Sequence, residues 1–111
     1  MKKIDTILNT DGHGLWSNVA RPVHVTAINV HKANCELRVY FNTDTWDVEE
    51  VGLIYTDILW QRELRAHLVA LGFSCEAVAG VGYSEQGMQG DDYVSLDVTP
   101  LFVDEWKSKG F

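Results

Sequence analysis

The sequence predicts an α+β fold, in which two main helices pack on one face of a mostly antiparallel sheet of about four to five strands. Three observations lead to this prediction. A β-branched segment precedes a cleanly alternating one, a later segment has apolar residues at helical spacing, and turn-forming residues separate these elements. With 111 residues and 46% hydrophobic residues, the chain fits a single core, so we treat residues 1–111 as one domain.

The segments 22–30 (PVHVTAINV) and 35–41 (CELRVYF) predict an antiparallel hairpin that residues 31–34 close. In the second segment, polar and apolar positions alternate, so one face is expected to cover a core and the other to meet water. The core-facing positions are Cys35, Leu37, Val39 and Phe41. Residues 9–14 (NTDGHG) are predicted to form a turn, and the sequence does not decide whether the rest of residues 1–20 is helix or strand.

The middle of the chain predicts a loop, a strand and a helix in turn. Residues 42–50 (NTDTWDVEE) are predicted to be a polar loop or a short turn of helix, and residues 51–55 (VGLIY) a further strand. The main helix is expected from about Asp57 to Leu71, and Gly72 can take the left-handed conformation that ends a helix. Its apolar stripe consists of Trp60, Leu64, Leu68 and Leu71.

The last third predicts a loop, a strand and a closing helix. Residues 80–92 contain four glycines and are expected to form a long loop. Residues 93–98 alternate again, which places Val94 and Leu96 inward and Tyr93 and Ser95 outward. Thr99 followed by Pro100 is typical of a helix start, because a capping hydroxyl precedes a residue that needs no backbone donor.

The net charge of −7 is unevenly distributed. Residues 42–111 contain thirteen acidic and four basic residues, whereas residues 1–41 contain three acidic and five basic residues. An acidic surface repels a phosphate backbone, so we expect no nucleic-acid partner. The acidic residues either form a solvated surface that aids solubility or meet a basic partner protein or a cation.

The start of the chain, MKKIDTILNTDG, lacks the apolar run of a secretory signal, and no later segment approaches the length of a membrane span. Only two cysteines are present, too few for a disulfide framework. These features predict a cytoplasmic protein with reduced thiols and no membrane partner.

The candidate reactive groups do not form a recognisable site. His24, His31 and Cys35 lie close in sequence, but a strand reverses face at each residue and no fourth ligand is near, so no metal is expected. The glycine-rich stretch lacks the lysine of a phosphate loop, and no cofactor is expected. Asp11 and His13 could provide a general base, yet no nucleophile or oxyanion donor accompanies them, so we assign no catalytic residue.

Residues 83–93 (YSEQGMQGDDY) are the most unusual segment, because amides, hydroxyls, carboxylates and a methionine lie together in a glycine-rich stretch. Such side chains could orient a polar ligand or a partner, and the alternative is a solvent-facing connection whose glycines let it turn. The candidate contact residues are Tyr83, Glu85, Gln86, Met88, Gln89, Asp91 and Asp92. Trp46, in the polar loop, is a further candidate as an interface anchor or a cover for the sheet edge.

The stretches GLIYTDILWQRELRAHLVALGFS (Gly52–Ser74) and YSEQGMQGDDYVSLDV (Tyr83–Val98) resemble small orphan proteins carried on bacterial mobile gene cassettes of the integron type. The resemblance implies a bacterial cytoplasmic protein of accessory or adaptive role. It covers about a third of the chain and carries over no catalytic residue.

The leading functional hypothesis is a non-enzymatic module that binds a small ligand or a protein partner, with a homodimer as one expected assembly. One alternative is a small hydrolase-like or metal-dependent enzyme that uses Asp11, His13 and carboxylates between Glu85 and Asp92. Another is an acidic immunity or inhibitor protein that occupies the basic cleft of a nuclease.

Overall fold

A computed structural model of the chain describes residues 15–16, 19, 21–56, 59–78, 83–88 and 91–110, and for residues 83–88 and 91 the description is of the backbone. The expectations for residues 1–14, including Asp11 and His13, therefore lie outside the described residues. The described strands are β1 (Val25–His31), β2 (Glu36–Phe41), β3 (Tyr83–Met88) and β4 (Asp91–Asp97). They form one antiparallel sheet in the order β1-β2-β4-β3.

Four described helices accompany the sheet: α1 (Val48–Thr56), α2 (Leu59–Ala70), α3 (Cys75–Val78) and α4 (Pro100–Ser108). The predicted α+β class and the antiparallel sheet are confirmed. No described helix is both long enough and apolar enough to cross a membrane.

The predicted hairpin is present as β1 and β2, which pair from His31 opposite Glu36 to Val25 opposite Phe41. A 3-10 turn over Lys32–Asn34 closes it, and Cys35 leaves the turn in the left-handed conformation with φ 46°. The pairing is irregular between Val25 and Ala27, where β1 carries a bulge.

Strand β4 lies beside β2, and Leu37 opposite Leu96 and Val39 opposite Val94 form the middle of the core face. The prediction that Tyr93 and Ser95 face water is wrong, because both are buried on the opposite face. The reason is the central position of β4, which has β2 on one side and β3 on the other. Long side chains of β2 cover that face, since the Arg38 guanidinium carbon lies 4.8 Å from the centroid of the Tyr93 ring.

The prediction of a loop over residues 80–92 is wrong for residues 83–88, which form β3. Six consecutive residue pairs join β3 to β4, from Tyr83 opposite Leu96 to Met88 opposite Asp91. Only residues 89 and 90 separate the paired ends, a length typical of a tight hairpin. The polar composition of β3 did not indicate a strand, because this strand is stabilised by backbone hydrogen bonds to β4.

The prediction of a strand over residues 51–55 is also wrong, because these residues belong to α1, which begins at Val48. Residues 48–50 are helical, which agrees with one of the two alternatives for residues 42–50. Asp47 and Glu50 form a reciprocal cap, because the Glu50 amide donates to Asp47 Oδ1 at 3.2 Å and the Asp47 amide donates to Glu50 Oε1 at 3.3 Å. This capping box satisfies backbone donors that the helix itself leaves free. The capping box thus favours a helix over residues 51–55, although their apolar and β-branched side chains are typical of a strand.

Helix α2 confirms the prediction of a main helix, with Trp60, Leu64 and Leu68 buried along one stripe. The chain leaves α2 at Gly72, whose φ is +102°, and the Phe73 amide donates to the Leu68 carbonyl at 3.1 Å. These are the features of a left-handed helix end.

The start of α4 also agrees with the sequence prediction. Thr99 Oγ1 accepts from the Phe102 amide at 3.1 Å and donates to the Ala77 carbonyl at 3.0 Å, which links α4 to α3. The Phe73 and Phe102 rings stack with centroids 4.7 Å apart, so the exit of α2 packs directly on α4.

All four described helices contribute buried side chains to one core, which also contains the core face of the sheet. Trp16 is buried in this core, and its indole donates to the Ile54 carbonyl at 3.1 Å. Its ring meets Phe41 edge-on, with centroids 5.2 Å apart. The core therefore holds β2 and the end of α1 together at one side of the sheet.

Candidate functional site

The predicted contact residues lie at one edge and one end of the sheet. Tyr83, Glu85, Gln86 and Met88 are positions of β3, the last strand in the sheet order, and Asp91 and Asp92 open β4. Gln89 lies outside the described residues. Asp92 stands opposite Gly87 on one side and Phe41 on the other, so this end of the sheet adjoins the turn after β2.

The Asp92 carboxylate joins three elements at that end of the sheet. The Tyr55 hydroxyl of α1 donates to Oδ1 at 3.1 Å, and the buried Thr43 hydroxyl donates to Oδ2. Both carboxylate oxygens thus accept from side chains of the same chain. The contacts of Asp92 hold β4, α1 and the turn after β2 in place.

Trp46 is half-buried and packs against the core at the same end. The Arg21 guanidinium carbon lies 4.1 Å from the centroid of its ring, which is the distance of a cation–π contact. Arg21 also pairs with Glu50 at 3.2 Å and donates to the Thr45 carbonyl at 3.0 Å. Because Arg21 covers one face of the ring, less of Trp46 is open to a partner than the sequence suggests.

The two edge strands of the sheet differ in regularity. β1 carries its bulge between Val25 and Ala27, whereas β3 pairs with β4 through six positions without interruption. Within the described part of the chain, β3 pairs with β4 alone and β1 with β2 alone. Bulges disrupt further pairing, so β3 presents the more regular edge.

A network around Arg38 covers the outer face of the sheet, and sequence reasoning missed it. Hydrogen bonds to the Tyr40 hydroxyl and the Glu36 carboxylate, together with the ion pair to Glu36, hold the pKa of Arg38 above its ordinary value. The Tyr40 and Tyr93 rings lie 5.3 Å apart beside it. Cross-strand register was the missing signal, because Tyr40 and Tyr93 become neighbours only when β2 pairs with β4.

Helix α1 exposes two large apolar side chains to solvent, which the sequence did not predict because residues 51–55 were expected to form a strand. Val48 is 88% exposed and Leu53 is 55% exposed, and Ile54 alone of the nine α1 residues is buried. A β-carbon added at Gly52 would have no atom within 4 Å.

The reactive groups considered from the sequence do not gather in the described structure. His24 is exposed, whereas His31 and Cys35 are half-buried. Among the residues described, no group of three or more histidine, cysteine, aspartate or glutamate side chains could hold a metal ion. The other free thiol, Cys75, is exposed at the start of α3.

No protein-family model, curated protein or solved structure matches the chain. The resemblance to integron gene-cassette proteins therefore stays a prediction from the sequence.

Proposed function

We propose that the protein is a non-enzymatic interaction module, and that it pairs with a second copy of itself along the outer edge of β3. The observation that carries this proposal is the regular pairing of β3 at the end of the sheet order. An edge strand offers a row of backbone donors and acceptors to another chain, and regular edges accept such pairing most readily.

The composition of β3 supports this assignment. Its six residues, YSEQGM, include no lysine, arginine or proline, the residues that commonly protect exposed edges. The opposite edge, β1, carries a bulge. The two edges thus differ in regularity, and a regular strand accepts a further strand more readily than a bulged one.

Two-fold symmetry and the charge of Glu85 together favour one register for the pairing. Two copies related by a two-fold axis perpendicular to the sheet place equivalent residues on the same face. A register centred on Glu85 would set two carboxylates opposite each other, which is unfavourable. A register centred on Gln86 sets it opposite the partner's Gln86, and Glu85 opposite the partner's Gly87, so we expect this register.

The test compares lysine substitutions on the two edges by sedimentation at protein concentrations up to about 1 mM, where even weak pairing is visible. Gln86→Lys places two ammonium groups opposite each other at the centre and should weaken the dimer at least about tenfold. Asn29→Lys, at an exposed position of β1, is the matched control and should leave the dimer unchanged. A wild-type chain that stays monomeric, or equal effects of the two substitutions, would overturn the proposal.

A second pair of variants separates edge blocking from unfolding. Consecutive residues of an edge strand point their N–H groups alternately toward the sheet and away from it. Of Glu85→Pro and Gln86→Pro, one should therefore lower the melting temperature, and the other should retain it while preventing dimerisation. Persistence of the dimer in the stable variant would contradict pairing along β3.

The alternative of an enzyme has weaker support. Among the catalytic residues that this alternative requires, the structure describes the side chain of Asp92. One of its carboxylate oxygens accepts from Tyr55 and the other from Thr43. The cytoplasmic location and the bacterial gene-cassette origin stay predictions from the sequence.

A further inference from the structure

A second surface, separate from the edge of β3, lies on helix α1. We define the α1 patch as Val48, Gly52 and Leu53. Val48 and Leu53 rank first among the exposed large hydrophobic residues of the described chain, at 88% and 55%. On a helix of 3.6 residues per turn, they stand on either side of Gly52. Val48 and Leu53 point about 140° apart around the helix axis, and the exposed Glu49 lies between Gly52 and Leu53, so the patch has an apolar side chain at each margin with a glycine and a carboxylate between them.

Gly52 contributes no side chain to the surface between Val48 and Leu53. A glycine inside a helix costs about 1 kcal/mol relative to alanine. No atom lies within 4 Å of the position that its β-carbon would occupy, so packing within the described chain does not require a glycine. A glycine at such a point lets the surface of another molecule approach the helix backbone closely.

The rim of the α1 patch is acidic. Residues 42–56 include four carboxylates and no lysine or arginine. Glu50 is paired with Arg21, whereas Asp44, Asp47 and Glu49 are exposed, Asp44 and Asp47 just before α1 and Glu49 between Gly52 and Leu53. Within a Debye length of about 8 Å, such a rim attracts a cationic partner and repels an anionic one.

This charge selects among the occupants of the patch. A second copy would bring the same carboxylates against each other, and anionic lipid or nucleic-acid surfaces would be repelled. We infer that the α1 patch docks an amphipathic segment of a partner protein, whose apolar residues contact Val48 and Leu53 and whose lysine or arginine residues meet the acidic rim. The match is that of a helix laid across a surface on which two apolar side chains lie beside exposed carboxylates.

The test uses a defined probe, a synthetic helical peptide of leucine and lysine in amphipathic order. Amide chemical shifts of the labelled protein are followed during titration with this peptide. We expect saturable shifts centred on residues 44–56 and an affinity that falls as salt rises, since exposed charges are screened. A peptide of the same composition in scrambled order is the control and should bind at least about tenfold more weakly.

Matched variants then locate the contact. Val48→Ser combined with Leu53→Ser should reduce the affinity for the peptide at least about tenfold, because it removes the apolar part of the contact. Val69→Ser combined with Leu101→Ser changes two hydrophobic side chains that are 40% and 43% exposed elsewhere, and it should leave the affinity unchanged. Melting temperatures near that of the wild type would show that both proteins remain folded.

Several outcomes would overturn the inference. These are no saturable binding, equal affinity for the scrambled peptide, shifts centred outside residues 44–56, or equal losses in the two double variants. Self-association of the protein that Val48→Ser with Leu53→Ser abolishes would assign the patch to a second copy instead. A monomeric protein that still binds the peptide would refute the dimer at β3 and leave the α1 patch standing.

Discussion

Helices α1 and α2 follow each other along the chain, yet they use their apolar residues in opposite ways. In α2, large buried residues recur at intervals of four, at Trp60, Leu64 and Leu68. In α1, Ile54 is buried and the apolar side chains of Val48 and Leu53 face solvent. The core therefore accounts for the stripe of α2 and for Ile54 of α1, but not for Val48 and Leu53.

The two helices also differ in what stabilises them. Packing against the sheet stabilises α2, because its stripe matches the period of the helix. At α1, the capping box of Asp47 and Glu50 stabilises the first turn, and the Trp16 indole binds the carbonyl of Ile54 near its end. Val48 and Leu53 belong to no such stripe, so packing in the core does not explain why α1 has apolar residues at these positions.

The largest expected effect tests this contrast directly. Leu64→Ala should lower the free energy of unfolding by about 2–5 kcal/mol, because it leaves a cavity in a fully buried site. Leu53→Ala should change it by no more than about 0.5 kcal/mol, since the side chain is mostly in solvent. Urea denaturation followed by circular dichroism measures both. Losses of similar size would mean that α1 is packed as tightly as α2.

Two glycines provide the next comparison. Gly72→Ala should lower the free energy of unfolding by about 1–2 kcal/mol, because φ is +102° and the new β-carbon would lie 2.9 Å from Lys109 Nζ. Gly52→Ala should raise it by about 0.5–1 kcal/mol, since α1 is helical there and the space is open. Thermal unfolding of both variants shows whether each substitution raises or lowers the stability. A destabilising Gly52→Ala would mean that the open space is filled in solution.

A smaller effect concerns the start of α1. Asp47→Ala should lower the free energy of unfolding by about 1 kcal/mol, because it removes the acceptor of the Glu50 amide. Asp44→Ala, which removes a nearby exposed carboxylate, is the matched control and should have little effect. Chemical denaturation distinguishes the two, and equal effects would indicate general charge repulsion rather than capping.

The smallest effect is expected at the exit of α2, where Ser74 meets Glu105 of α4. The Ser74 amide and hydroxyl donate to this carboxylate at 2.9 and 2.7 Å, and they hold the pKa of Glu105 below its usual 4.5. Stability from a lowered carboxyl pKa is present above pH 4.5 and disappears as the pH falls through the folded-state value.

Glu105→Gln should therefore reduce the loss of melting temperature on acidification, whereas Asp104→Asn, at an exposed neighbouring position, should not. Melting curves recorded from neutral pH downward test this. An unchanged acid dependence in Glu105→Gln would show that the Ser74 contact contributes little in solution.

Sequence reasoning succeeded where the structural signal is local. The β1–β2 hairpin, the stripe of α2 and the Thr99-Pro100 start of α4 were each visible within a few neighbouring residues. The capping box of α1 was equally local, with Asp47 three residues before Glu50, but the β-branched residues around it favoured a strand.

The remaining features depend on contacts that are distant in sequence. β3 is polar and contains Gly87, so its strand conformation depends on pairing with β4 rather than on its own composition. The burial of Tyr93 and Ser95 likewise results from the position of β4 between two strands. The exposure of Val48 and Leu53 was not predicted, because residues 51–55 were interpreted as a strand and α1 has no apolar stripe that marks its buried side.

The hydrogen bond from the Trp16 indole to the Ile54 carbonyl has a consequence for recognition. This bond joins the last turns of α1 to the core of the free protein. A segment that docks on α1 would therefore meet a preformed helix, and most of the backbone entropy lost on association would fall on that segment. The indole N–H resonance of Trp16 should accordingly keep its frequency throughout a titration that shifts the amides of the outer turns.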